Sequence, residues 1–148
     1  PSRAVARLPG VAPAGPLLLC PWLDATLRSP SVRAKGVDFG LTEVSLHSFA
    51  RMYLVEADPA QEGASPLLGK DFSGLPPTVV VTAENDPLCD EGELYAQRVI
   101  DGGGQARVRR WDDMWHGFVG MTKEVPQAEE ALQWACDRLG EFLRDTAV

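Results

Sequence analysis

The sequence predicts an α/β fold: about three parallel strands in one sheet, flanked by helices. Three observations carry this. The runs Leu17-Leu18-Leu19-Cys20 and Thr78-Val79-Val80-Val81-Thr82-Ala83 are short, uncharged and apolar or β-branched, the character of strands buried on both faces. Stretches with apolar residues at three- and four-residue intervals alternate with them, as amphipathic helices do. The resulting order of strand, helix, strand, helix, strand, helix is the grammar of right-handed crossovers. A length of 148 residues with 45% hydrophobic and 24% charged residues fits one ordinary domain or part of a larger one. A net charge of −7 argues against nucleic acid as a partner, and no apolar run approaches the roughly 20 residues that span a bilayer.

Residues 1–16 hold several prolines among small residues and read as an irregular lead-in; residues 17–148 read as the domain itself. The first strand lies between Pro16 and Pro21, and residues 24–41 read as loop. Thr42 is a plausible N-cap for a helix carrying Leu46, Phe49 and Tyr53 on one face. A proline-rich connection over residues 57–77 leads into the strand at 78–84. Asp86-Pro87 is a helix-start signal, and the helix is expected to run to about Asp101. Gly102-Gly103-Gly104 follows a helix and precedes a strand, the reverse of a phosphate-binding loop, so it reads as a helix stop. Residues 106–112 form a weaker strand whose Arg107, Arg109 and Arg110 suit a sheet edge. Ala128, Ala131, Leu132, Ala135, Leu139, Phe142 and Leu143 mark a closing amphipathic helix.

With the strands side by side in chain order, one edge is rich in arginine and the other is the apolar 17–20 strand. An apolar strand at an open edge invites a partner, so further polypeptide is expected to belong beside it.

The chain holds two histidines. His47 lies within a predicted helix and reads as a surface or core residue. His116 follows a predicted strand in the loop region where α/β sheets hold their sites. Asp86 also follows a strand, and on its own reads as a helix N-cap. Together they give an Asp and then, thirty residues later, a His, each beyond one of two consecutive strands: the chain order of the acid and base in a Ser…Asp…His triad on a hydrolase sheet. Cys20, Cys89 and Cys136 show no metal or redox spacing and read as reduced thiols of a cytoplasmic protein.

The segments Ala64-Ser65-Pro66-Leu67-Leu68, Ser73 to Glu84, Asp86-Pro87-Leu88-Cys89-Asp90-Glu91-Gly92 and His116-Gly117-Phe118 resemble the C-terminal half of the hormone-sensitive-lipase-like carboxylesterases, the α/β-hydrolase fold-3 group. The resemblance runs from about residue 16 to residue 145. It implies a partial α/β-hydrolase fold, a small ester as substrate, Asp86 as triad acid and His116 as general base, and neither metal nor organic cofactor. Trp115, Phe118 and Trp22 become candidates for the walls of a substrate pocket, Trp115 standing where the family usually has an aliphatic residue. Asp90 and Glu91 read as helix-start charges that favour the positive end of the helix dipole. No Gly-x-Ser-x-Gly elbow and no His-Gly-Gly-Gly segment occurs in the 148 residues: Gly63-Ala64-Ser65-Pro66-Leu67 fails at its last position and follows no strand. Cys89, set beside acids in a helix, is a poor substitute nucleophile. The chain alone is therefore expected to be nearly inert, the missing N-terminal half coming from the same or a separate polypeptide. The alternative is a remnant or interaction module that keeps the fold without the chemistry.

Overall fold

The computed structural model describes residues 13–38 and 40–145. Most of the expected lead-in lies outside these; residues 13–16 run without regular structure into the first strand. The strands are β1 (Leu17–Leu19), β2 (Thr78–Asn85) and β3 (Ala106–Trp115), all parallel and adjacent in the order β1-β2-β3. The helices are α1 (Pro30–Lys35), α2 (Glu43–Leu54), α3 (Cys89–Asp101) and α4 (Pro126–Asp145), with single 3₁₀ turns at Pro66–Leu68 and Phe118–Gly120.

Three expectations need correction. Residues 24–41 are not all loop: Pro30 opens α1, whose six residues are too few to display a helical period in sequence. The third helix begins at Cys89 and not at Pro87, because the Asp86 carboxylate accepts the Leu88 amide at 2.8 Å in a local turn. β3 continues three residues beyond Asp112, across a bulge described below.

β2 is the central strand, and its residues from Thr78 to Ala83 are buried. Val79, Val81 and Ala83 face α4, meeting Ala128, Ala131, Ala135 and Phe142. Val80 points the other way, into a cluster with Tyr95, Ala96 and Val99 of α3. Covering both faces is what allows a strand with no polar side to exist. Gly92 lets α3 approach the sheet: a Cβ built there would lie 2.8 Å from the Thr82 Cγ2 methyl and 3.4 Å from Pro21. We therefore expect Gly92→Ala to destabilise the chain by about 1–3 kcal/mol in chemical denaturation, although alanine is the better helix former. Past the C-terminus of α3, Gly103 takes a φ of +81°, so the glycine run is a helix stop as expected.

The two sheet edges differ as the sequence implies. On β3, Arg110 makes a two-point ion pair with Glu93, and Arg109 stacks 4.5 Å over the Trp111 ring. β1 is hydrogen-bonded to β2 alone among the described residues, leaving Leu17, Leu18 and Leu19 half-buried.

Candidate active site

Parallel sheets gather function at the C-terminal ends of their strands. Here each strand delivers one group just past its end: Cys20 after β1, Asp86 after β2 and His116 after β3. The Asp86 carboxylate is fully buried; one oxygen accepts the Leu88 amide and the other lies 2.9 Å from His116 Nδ1. The imidazole is one-third exposed. Binding Nδ1 to a buried carboxylate fixes the ring and leaves Nε2 for exchange of a proton with a substrate.

His116 is aimed by the irregular end of β3. Ala83 pairs with Trp111 but Asn85 pairs with Trp115, so β3 carries two more residues than β2 over the same span. Asp113 occupies the bulge at a φ of +61°, and its amide donates to the Glu84 carboxylate at 2.8 Å. Beyond the histidine, Gly117 at φ +78° turns the chain into the 3₁₀ turn that buries Phe118.

Phe118 corrects an expectation. Although a candidate for a pocket wall, it is fully buried in the core, its ring 6.3 Å from that of Trp111. It anchors the histidine loop from beneath, and Phe118→Ala is expected to cost about 3–5 kcal/mol in unfolding free energy. Trp115 is half-buried against the same cluster. Trp22 packs near Val32, Leu46 and Leu88, and lines an apolar groove of about 280 Å³ with Ala25, Phe49, Tyr53 and Pro66.

Two buried groups escaped the sequence reading. Glu91 is fully buried rather than an exposed helix-start charge; its Oε2 accepts the amides of Leu23 and Asp24, tying the loop after β1 to the helix after Asp86. Burial pushes its carboxyl up to about 8, against the lowering effect of those amides. The signal lay in helical phase: Glu91, Tyr95 and Val99 are spaced by four and share the buried face of α3. Cys20 is the second. It holds a positive φ of 44°, and its Sγ lies within 4.8 Å of both the Asp86 carboxylate and the His116 ring. These three offer ligand atoms to a cation, but the facing atoms of Asp86 and His116 are already spent on each other.

The other chemistry-bearing residues are held in structural roles. The buried Ser65 hydroxyl donates to the Pro59 carbonyl at 2.6 Å and accepts the Ala25 amide at 2.7 Å. Burial raises the Cys89 thiol, with the Lys35 ammonium 3.2 Å away working against it. Asp90 accepts the Ser31 amide at 2.8 Å. His47 is exposed on α2, 3.9 Å from Glu43 one turn away. No helix among the described residues is long and apolar enough to cross a membrane.

A parallel sheet with Asp86 and His116 in contact just past the ends of neighbouring strands is the pattern of the α/β-hydrolase fold. The comparisons with known proteins agree: residues 2–120 match the model of an α/β-hydrolase-fold family, and the chain belongs to that family, in its hormone-sensitive-lipase-like branch. The match begins well upstream of residue 16, where the sequence resemblance was read to start. The chain is 36% identical over 114 residues to the carboxylic ester hydrolase LipN of Mycobacterium tuberculosis, covering 76% of this chain and 30% of that protein. It is 32% identical over 133 residues to an ethyl acetate hydrolase of Pseudomonas putida, covering 89% and 42%. Among solved structures it resembles EstE1, a thermostable carboxylesterase cloned from a metagenomic library, with a TM-score of 0.83 at 36% identity, covering 88% of this chain and 45% of that one. The chain thus spans less than half the length of the relatives it matches.

Proposed function

We propose that this chain supplies the acid and the general base of a carboxylic-ester hydrolase, with the nucleophilic serine and the oxyanion donors supplied by polypeptide outside the 148 residues. The observation that carries the reading is the 2.9 Å contact between His116 Nδ1 and the buried Asp86 carboxylate, in the chain order and on the strand ends that the hydrolase fold requires. Its setting in a family of ester hydrolases supplies the reaction class.

In this reading His116 Nε2 removes the proton from the serine hydroxyl as it attacks the ester carbonyl. The resulting imidazolium gives that proton to the leaving alkoxide, and the same nitrogen then activates water to release the acid. Asp86 holds the tautomer and stabilises the imidazolium, with the Leu88 amide fixing the carboxylate in place. The open edge of β1 is where the nucleophile-bearing part of the sheet docks, covering Leu17–Leu19. The apolar groove lined by Trp22 takes the hydrocarbon part of a small ester, and Trp115, next to His116 in the chain, stands beside the base.

A chromogenic p-nitrophenyl ester tests the assignment. The 148-residue chain is expected to show no turnover above the buffer rate, because a base without nucleophile and oxyanion donors has no acyl intermediate to form. The chain joined to upstream polypeptide bearing a Gly-x-Ser-x-Gly elbow is expected to turn over. Turnover by the chain alone that disappears in His116→Ala would show that the nucleophile lies within it. A non-catalytic remnant is the weaker reading, since nothing in a scaffolding role requires a buried carboxylate aligned on a partly exposed imidazole.

A further inference from the structure

We infer that Cys20 is a positioning residue for the Asp86–His116 couple, its thiol donating to the Asp86 carboxylate while its sulfur accepts the Gly117 amide, so that one atom ties the acid-bearing loop to the base-bearing loop. This rests on the hydrolase reading and adds a member that the reading does not contain.

Four observations converge on it. Cys20 Sγ sits within 4.8 Å of both members of the couple. The groups that act most directly on its thiol are the Gly117 backbone amide, next after His116, and the Asp86 carboxylate. The side chain reaches that point because Cys20 leaves β1 in the left-handed region, at φ 44°, ahead of Pro21, while its own amide stays in the ladder by donating to Val81 O at 2.9 Å. A non-glycine residue held there is over-determined by its surroundings, the arrangement found where a side chain must be aimed. Finally, Cys20 as a residue is only 6% exposed.

Burial decides which species acts. It pushes the Cys20 thiol up to about 12, with the neighbouring Asp86 charge acting in the same direction. The group therefore stays S–H throughout the range in which an imidazole base works. It is a standing donor, not a thiolate that would repel Asp86 or compete as a nucleophile. A donor to Asp86 draws negative charge away from His116 Nδ1, so the thiol moderates the basicity of the imidazole. The N–H···S bond from Gly117 fixes the distance between the two loops. Serine, with one O–H to donate and lone pairs to accept, can take over both bonds; alanine can take neither.

The test uses the 148-residue chain and nuclear magnetic resonance, with ¹⁵N-labelled histidine; two histidines keep the assignment simple, His47 being identified by its own substitution. In the unmodified chain the Gly117 amide is expected to exchange with solvent at least about tenfold more slowly than an unprotected amide, despite the exposure of that residue. Cys20→Ala is expected to raise the His116 pKa by about half a unit to one unit and to abolish the protection of Gly117. Cys20→Ser is expected to restore both. An unprotected Gly117 amide in the unmodified chain overturns the inference, as does an unchanged His116 titration in Cys20→Ala or an equal shift in the alanine and serine variants. If Cys20→Ala does not fold, Gly117 exchange in the unmodified chain and the serine variant decide. None of these readouts requires ester turnover. Failure of the hydrolase reading is seen separately, as an Asp86→Asn variant in which His116 titrates unchanged.

Discussion

Under the proposed function, replacing His116 by alanine in the complete hydrolase is expected to lower kcat for a short p-nitrophenyl ester by about 10⁴- to 10⁶-fold while leaving KM within a few-fold. The size of the effect follows from what Nε2 does: without it no group removes the serine proton or returns it to the leaving alkoxide, and the residual rate comes from binding and the oxyanion donors alone. Asp86→Asn is expected to cost about 10⁴-fold. The asparagine amide keeps the shape, but its NH₂ facing Nδ1 stabilises the tautomer that carries the proton on Nε2, the nitrogen that must be free to accept. The two losses are far from additive, because acid and base act through one ring. A double variant no slower than His116→Ala alone is the expected outcome of steady-state kinetics. Losses that add fully would mean that the two residues act independently, contrary to the 2.9 Å contact between them.

How much of this was legible in the sequence depends on whether a residue's neighbours in the chain or its neighbours in space define its role. Thr78–Ala83 declared itself because a strand buried on both faces must be uncharged and β-branched throughout. That Asp86 and His116 meet was legible because their chain order and strand-end positions are set by topology. α1 was not, because six residues give less than two turns of pattern. The extension of β3 beyond Asp112 was not, because it depends on a bulge that places Asp113 at positive φ with its amide on Glu84 of the neighbouring strand. Phe118 read as a candidate pocket wall, and the 3₁₀ turn after Gly117 instead carries it into the core. Cys20 had no signal at all. Its role depends on the parallel register that sets Leu19 beside Val81, and so brings the ends of β1 and β2 together.

Glu91 is where a charge read from sequence became something else in the fold, and the consequence is a large pH effect on stability. In the folded chain burial raises its carboxyl to about 8 from an ordinary value of 4.5. Between those values the native state binds a proton that the unfolded chain does not, so the stability that protonated Glu91 contributes is complete below pH 4.5 and is lost progressively up to about pH 8. Glu91→Gln retains an oxygen for the Leu23 and Asp24 amides and removes the ionisation. Relative to this variant, the unmodified chain is therefore expected to weaken by a few kcal/mol as pH rises across that window, measured by urea unfolding at fixed ionic strength. A difference between the two that stays flat from pH 4 to 9 would mean that Glu91 titrates in the fold as it does in water. Glu91→Ala is the harsher change at every pH. It strands the buried Leu23 and Asp24 amides and opens a cavity where a fully buried side chain stood, for a loss of about 3–5 kcal/mol. Because those amides hold the loop that follows Cys20, the same variant is expected to loosen the end of β1 before the sheet itself melts, seen as early hydrogen exchange at Leu23 and Asp24.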